Sequence, residues 1–208
     1  MNLDDRYLIW QLVQTRRAYA VIRFDNEFLR GQLGSLAGTW PEAAFCVVDA
    51  AKGPGDLLLP DCLWNTDHRL FISSRLKDFL SRQALPDVEF WPIKVIDPTG
   101  RPVGQPYFFL HLFNGPDCLD LAASGATRSR ILPEKAEKLE RLLFVSDPER
   151  PLFRPKTFAQ ITLVQWSLAK AIAQQKFSGF RFMGLFDYGL KGDLPPHPER
   201  YKVDALIR

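Results

Sequence analysis

Asp117 and Asp120 are the two side chains whose type and spacing come nearest to a catalytic pair in this chain. Two carboxyl groups held in different environments can divide the roles of general acid and general base. His111 precedes them in an aromatic run and would line the same pocket. One hypothesis is therefore an enzyme of unfamiliar type that works through these three residues.

The same segment also has a purely structural interpretation. The residues NGPD at 114–117 are typical of a turn, since each of these residue types favours turn backbone. Asp120 or Ser124 would then bind nearby backbone amides, while Cys118 and the neighbouring leucines pack inward. In that case, replacing Asp120 would lower the stability of the fold and would not change a rate of turnover.

Other residue types that often carry chemistry do not form known motifs. His68, His111 and His197 lie far apart, without the HxxxH or HExxH spacing of a zinc site. The segment GLFDYGLK at 184–191 has a leucine where a phosphate-binding loop requires its lysine, so it is interpreted as a turn. We expect no catalytic residue, no cofactor and no metal.

Cysteine usage and charge indicate the compartment and the class of partner. Cys46, Cys62 and Cys118 are odd in number and widely spaced, which suits reduced thiols in the cytoplasm. The start is acidic before a short apolar run, unlike a secretory signal, and no apolar stretch reaches membrane-spanning length. The formal charge of +3 comes from interleaved charges. We therefore expect neither nucleic acid nor membrane as a partner.

A helix followed by a β-hairpin is predicted to position His111 and the aspartates. Ser73 and Ser74 can cap the start of the helix, whose apolar face is Leu76, Phe79 and Leu80. A strand over 88–96 follows, where Pro92 implies an edge position or a bulge. A turn over 97–100 leads to a return strand over 107–113, which is covered on both faces and holds His111 in or beside the core.

Two further helices are predicted in the second half of the chain. Pro133 would open the first, with an apolar face of Ala136, Leu139, Leu142 and Leu143. Thr162 and Gln165 would form a capping box for the second. The buried stripe of that helix would be Val164, Leu168, Ala171 and Ile172, and Gly179 would end it before a strand over 180–182.

The predicted fold class is α+β, with antiparallel sheets and short helices. A helix, a tight turn and a strand occur twice at a constant offset, so that Leu76 corresponds to Leu168 and Asp87 to Gly179. Both turn residues tolerate the left-handed backbone that ends many helices. The pattern predicts a weak internal duplication of this helix-turn-strand unit.

A serine-led helix, the strands VEFWPIKVID and YFFLHLFN, and DCLDL followed by Ser124 occur in this order. In this pattern the chain resembles the myxobacterial-type family of bacterial immunity proteins, which is found beside polymorphic toxins. The similarity covers Asp56 to Leu185. It implies a cytoplasmic or otherwise toxin-accessible protein that neutralises a cognate effector by stoichiometric binding, without a cofactor and with no catalytic residues.

Composition divides the chain into three predicted regions. These are an N-terminal α/β subdomain over 1–55, the immunity-family-like α+β domain over 56–186, and an extended C-terminal arm over 187–208. Charge, an aromatic ring and expected exposure make the arm the predicted partner-binding region, through Asp193, Glu199, Arg200 and Tyr201. The alternatives are the enzyme described above and a ligand-sensing adaptor module. The oligomeric state is left open.

Overall fold

The computed structural model describes residues 6–13, 19–21, 45–49, 59–65, 68–97 and 100–189. The described residues fall into two compact units. The first takes those of Met1–Gln11, Asn114–Lys176 and Arg181–Arg208, and the second takes those of Leu12–Phe113 and Phe177–Phe180. The predicted division at residue 55 lies outside the described residues, so the three-region scheme remains a prediction.

Short strands dominate the described residues, and two short α-helices accompany them. The helices are α1 (Ser74–Ser81) and α2 (Trp166–Gln174), and a 3₁₀ turn covers Leu185–Asp187. In chain order the strands are β1 (Tyr7–Leu12), β2 (Tyr19–Val21), β3 (Phe45–Asp49), β4 (Cys62–Leu63), β5 (Phe71–Ser73), β6 (Val88–Ile96), β7 (Tyr107–Leu112), β8 (Thr127–Arg128), β9 (Ala136–Lys138), β10 (Leu152–Phe153), β11 (Leu163–Gln165) and β12 (Phe180–Gly184).

The first unit is built on a sheet with the strand order β10-β11-β1-β12. β11 pairs antiparallel with both β1 and β10, so residues from the two ends of the chain share one sheet. Trp10 on β1 meets Phe182 on β12 edge to face, with ring centroids 5.6 Å apart. Burial of large side chains is the main favourable term in folding. The core here includes Tyr7, Ile9, Leu119, Leu139, Leu142, Phe153, Phe158 and Leu163.

The second unit is built on a sheet with the order β2-β3-β6-β7-β5-β4. β6 and β7 form the predicted antiparallel hairpin, in which Trp91 lies opposite Phe109. The pairing of β3 with β6 is parallel, whereas the other pairings described in this sheet are antiparallel. These findings confirm the α+β class with mainly antiparallel sheets. The core of this unit includes Leu63, Phe71, Ile93, Val95, Tyr107 and Phe109.

The helix predicted from the serine pair is α1, and it begins as expected. The Ser73 hydroxyl accepts a hydrogen bond from the Leu76 amide at 3.3 Å, which satisfies one of the amides that a helix start leaves unpaired. The three predicted apolar residues are buried on one face of the helix: Leu76, Phe79 and Leu80. The prediction for this element is therefore confirmed.

The hairpin that follows α1 also agrees with its prediction. β3 pairs with β6 only from Lys94 onward, so the half of β6 that contains Pro92 has β7 alone as its described partner. A proline fits there because it has no amide hydrogen to donate. The Gly100 amide donates to the Asp97 carbonyl at 3.0 Å, at the two ends of the expected turn, whose central residues 98–99 lie outside the described residues.

The prediction of a helix after Pro133 is wrong. Ala136–Lys138 form β9, and the amides that a helix would bond internally are bound to distant partners instead. The Glu140 amide donates to the Ser124 carbonyl at 3.0 Å, and the Leu143 amide donates to the Ser124 hydroxyl at 3.2 Å. The buried leucines therefore have helix-like spacing without forming a helix, because tertiary contacts override a weak local propensity.

The predicted capping box of the last helix is also wrong. α2 begins at Trp166 with Gln165 as its N-cap residue, and no side chain caps it. Thr162 lies before β11, and its hydroxyl accepts a hydrogen bond from Arg154 Nε at 3.1 Å. Val164, which was assigned to the helical stripe, belongs to β11. The helix itself is confirmed, with Leu168 and Ile172 of the stripe buried, but Ala169 is buried where Ala171 was predicted. The helix also ends at Gln174, before the predicted end at Gly179.

A common order of elements recurs in the chain. β5 runs directly into α1, and β11 runs directly into α2, so the helices start at Ser74 and Trp166. Asp87 (φ 56°) precedes β6, and Gly179 (φ 92°) precedes β12, at the same sequence offset. The predicted helix, turn and strand are thus present twice, while their origin by duplication remains a prediction.

None of the helices in the part of the chain that the structure describes is long and apolar enough to span a bilayer.

Candidate functional site

An open pocket of about 560 Å³ lies in the first unit. Its walls carry balanced charge, with three carboxylates and three cations, and they include the apolar side chains of Leu119, Leu121 and Val145. The charged wall residues are Asp117, Asp120, Glu134, Arg128, Lys135 and Lys156.

The two aspartates of the catalytic hypothesis line this pocket, but Asp120 accepts hydrogen bonds from backbone amides. Its carboxylate accepts a hydrogen bond from the Ala123 amide at 2.9 Å, and its carbonyl accepts one from the Ser124 amide at 2.9 Å. Ser124 is fully buried and binds the amides of the segment that follows β9. Asp120 thus binds nearby amides, as the structural interpretation predicts, whereas Ser124 binds amides of a distant segment. The effect of Asp120 on stability stays a prediction.

Cys118 adjoins Asp117 in the chain, and its thiol is not activated. Burial raises the pKa of the Cys118 thiol to about 12, and the nearby Asp117 carboxylate adds to the effect. A thiol acts as a nucleophile through its thiolate form, which is scarce at neutral pH with such a pKa. Cys118 is buried in the core of the first unit, as the sequence predicted.

His111 is not part of the pocket. It lies on β7 in the second unit, buried at 6% exposure, whereas the described residues that line the pocket belong to the first unit. Its ring stacks on Trp91 with centroids 4.4 Å apart, and its Nδ1 lies 3.5 Å from a carboxylate oxygen of Glu89. The structure therefore does not unite His111 with Asp117 and Asp120 in the predicted catalytic pocket.

The β8–β9 hairpin forms part of the pocket wall and carries exposed apolar residues. We call residues 129–135, between its two strands, the hairpin tip. Ile131 is 87% exposed and Leu132 is 43% exposed. Val145 on the pocket wall is 62% exposed. These side chains add little to the core, and large exposed apolar groups often mark surfaces that bind another protein.

Sequence reasoning did not identify the hairpin tip as a site. The sequence predicts the start of a helix at Pro133 and gives Ile131 and Leu132 no role. One signal was available: two large aliphatic residues stand beside Pro133 in an otherwise polar loop, outside any helical or strand period. The arrangement is typical of neither a core element nor a solvated turn.

The arm residues predicted to bind the partner, Asp193, Glu199, Arg200 and Tyr201, lie outside the described residues. Their role stays a prediction. Among the described side chains, no group of three histidine, cysteine, aspartate or glutamate residues is placed to hold a metal ion.

Comparison with known proteins gives one informative result. Residues 10–185 match the immunity protein family (Imm11), a span that includes the second unit's described sheet, most of the first unit's sheet and the hairpin tip. A search of curated proteins found no match. The matched span is most of the chain and agrees with the resemblance carried by α1, β6, β7 and the DCLDL segment. The chain belongs to the immunity protein family Imm11.

Proposed function

We propose that this protein neutralises a cognate bacterial toxin by binding to it stoichiometrically, without chemical turnover. The family match over residues 10–185 is the observation that carries the proposal. The pocket chemistry supports it, because Asp120 caps a turn and the neighbouring Cys118 thiol stays protonated at neutral pH. The partner is a protein, and the activity involves no cofactor, nucleic acid or membrane.

The energetics of such a complex are within reach of a chain of this size. Nanomolar inhibition requires about −12 kcal/mol of binding free energy. An interface of about 800 Å² on each partner supplies this when a few central contacts are well packed. Most surface residues therefore need not contribute to the binding free energy, and one compact apolar site is sufficient for tight binding.

The proposed location is the cytoplasm, where the toxin would act. The buried thiols of Cys62 and Cys118 are not joined in disulfides, which suits a reducing compartment. The arm residues Asp193, Glu199, Arg200 and Tyr201 remain proposed contacts on the basis of composition. Deleting residues 190–208 tests them, since unchanged affinity for the toxin would remove the arm from the interface.

Growth rescue tests the proposal. Each toxin candidate encoded beside the gene for this chain is expressed with and without the chain, and growth and copurification are both measured. We expect one toxin to be harmless only when the chain is present and to copurify with it. If growth is rescued without a stable complex, binding is not the mechanism.

A further inference from the structure

The exposed apolar residues of the first unit are concentrated around the β8–β9 hairpin. We infer that the hairpin tip is the part of this chain that enters an apolar hollow on the toxin, rimmed by carboxylates. This inference rests on the proposed function and adds the binding surface to it. Ile131 and Leu132 would be the anchors, with exposures of 87% and 43% in the unbound chain. Burying large aliphatic side chains is the main favourable term in association.

The backbone of the hairpin tip is held in place before binding. The Ser129 hydroxyl accepts hydrogen bonds from the amides of Ile131 and Leu132, both at 3.3 Å. The Ser129 amide donates to the Lys135 carbonyl at 2.9 Å, and the Lys135 amide donates to the Leu132 carbonyl at 2.8 Å. A loop fixed in this way loses little conformational freedom on binding, so more of the contact energy appears as affinity.

A basic side chain also holds the backbone of the hairpin tip. Arg128 Nη1 donates to the Pro133 carbonyl at 3.0 Å, across the base of the tip. β8 and β9 pair with a bulge at Thr127 and Arg128. Bulges redirect side chains at the end of a strand pair. Ile131 and Leu132 are therefore exposed on a turn whose backbone is held by hydrogen bonds.

Charge defines the chemistry of the partner. From Arg128 to Lys135 the sequence carries the cations Arg128, Arg130 and Lys135 against Glu134 alone. Arg130 adjoins Ile131 directly and is exposed. Opposite charges around an interface speed association and exclude wrong partners. The toxin surface that fits is therefore apolar at its centre and acidic at its rim, and a second copy of this basic tip would be repelled.

The test uses purified toxin that the chain rescues in the growth assay. The variant Ile131→Ala/Leu132→Ala removes the anchors, and Arg130→Glu reverses the adjoining charge. Phe186→Ala is the matched control, since Phe186 is 46% exposed in the same unit but lies outside the hairpin. We expect the double variant to weaken the Kd at least about 30-fold, with Phe186→Ala within about 3-fold. Arg130→Glu should slow association, more at low salt than at high salt.

Three results would overturn the inference while leaving the proposed function intact. The first is wild-type affinity in the double variant when its melting temperature is unchanged. The second is a large loss of affinity on deleting residues 190–208 with none in the hairpin variants, which would place the interface on the arm. The third is a wild-type dimer that becomes monomeric in the double variant with toxin binding unchanged. Absence of toxin inhibition by the wild-type chain would instead remove the proposed function itself.

Discussion

Asp61 and Ser178 hydrogen-bond each other in both directions, although 117 residues separate them. The Asp61 amide donates to the Ser178 hydroxyl at 3.1 Å, and the Ser178 amide donates to the Asp61 carboxylate at 3.0 Å. The same carboxylate accepts hydrogen bonds from the Ser73 hydroxyl at 2.8 Å and from Arg75 Nη2 at 2.8 Å. One carboxylate thus joins the start of α1 to the segment that leads into β12.

Asp61→Asn should destabilise the native chain. Asparagine keeps the shape of the side chain but loses the charge that strengthens the hydrogen bonds from Arg75, Ser73 and Ser178. We expect the free energy of unfolding, measured by urea denaturation at pH 7, to fall by about 1–3 kcal/mol. Asp78→Asn is the control, because Asp78 is exposed on α1 and pairs only loosely with Lys77 at 3.4 Å. Equal losses in the two variants would contradict this role for Asp61.

Stability should also depend on pH through Asp61. Burial opposes ionisation of this carboxyl, but hydrogen bonds from Arg75, Ser73 and the Ser178 amide outweigh it, so its pKa lies below the ordinary 3.8. A lowered native pKa adds stability above the unfolded pKa, and that stability is lost as pH falls through the native pKa. The stability difference between wild type and Asp61→Asn should therefore be constant from about pH 7 to pH 5 and shrink below about pH 4. A difference that grows with acid would show that Asp61 is not stabilised as its anion.

Replacing Gly179 should strongly destabilise the native chain. Its φ of +92° is one that side chains rarely adopt, and an added Cβ would lie 2.0 Å from the Cys62 carbonyl oxygen. We expect Gly179→Ala to lower the free energy of unfolding by at least about 3 kcal/mol. Gly104→Ala is the control, because nothing lies within 4 Å of its added Cβ. Its effect should stay within about 0.5 kcal/mol. Similar melting curves for the two variants would contradict the close contact between Gly179 and the Cys62 carbonyl.

His111→Ala separates the structural and catalytic hypotheses. The His111 ring is buried between aromatic neighbours, with Trp91 at 4.4 Å and Phe113 at 5.7 Å between centroids. We expect a loss of about 2 kcal/mol in unfolding free energy, with no change in the amount of folded protein needed to inhibit the toxin. His68→Asn serves as the control, because His68 is exposed with φ 52°, which asparagine tolerates. Loss of inhibition by a fully folded His111→Ala would favour the catalytic hypothesis.

The sequence predicted best where local pattern and tertiary contacts agree. The serine cap of α1, its buried face and the β6–β7 hairpin each follow from residues close together in the chain. Asp87 and Gly179 were predicted as left-handed turn residues, and both have positive φ. In these places propensity, capping and burial favour the same conformation, so a short segment is enough to predict its own structure.

Prediction failed where distant residues decide the local structure. Leu139 and Leu142 have helical spacing, yet Ser124 binds the amides of this stretch, and nothing in the local pattern shows that. The pairing of β11 with β1 joins residues from opposite ends of the chain, which composition does not reveal. The hairpin tip was missed because its exposed aliphatic pair contributes little to a periodic core pattern.

The central claim is that this chain inhibits by covering its toxin, and a titration of residual toxin activity tests it most directly. A fixed concentration of toxin, well above the Kd, is mixed with increasing amounts of the purified chain, and activity is measured after short and long incubation. The account predicts a straight decline to zero at one chain per toxin, identical at both times. Complete inactivation by a small fraction of one equivalent, increasing with time, would contradict it and indicate turnover.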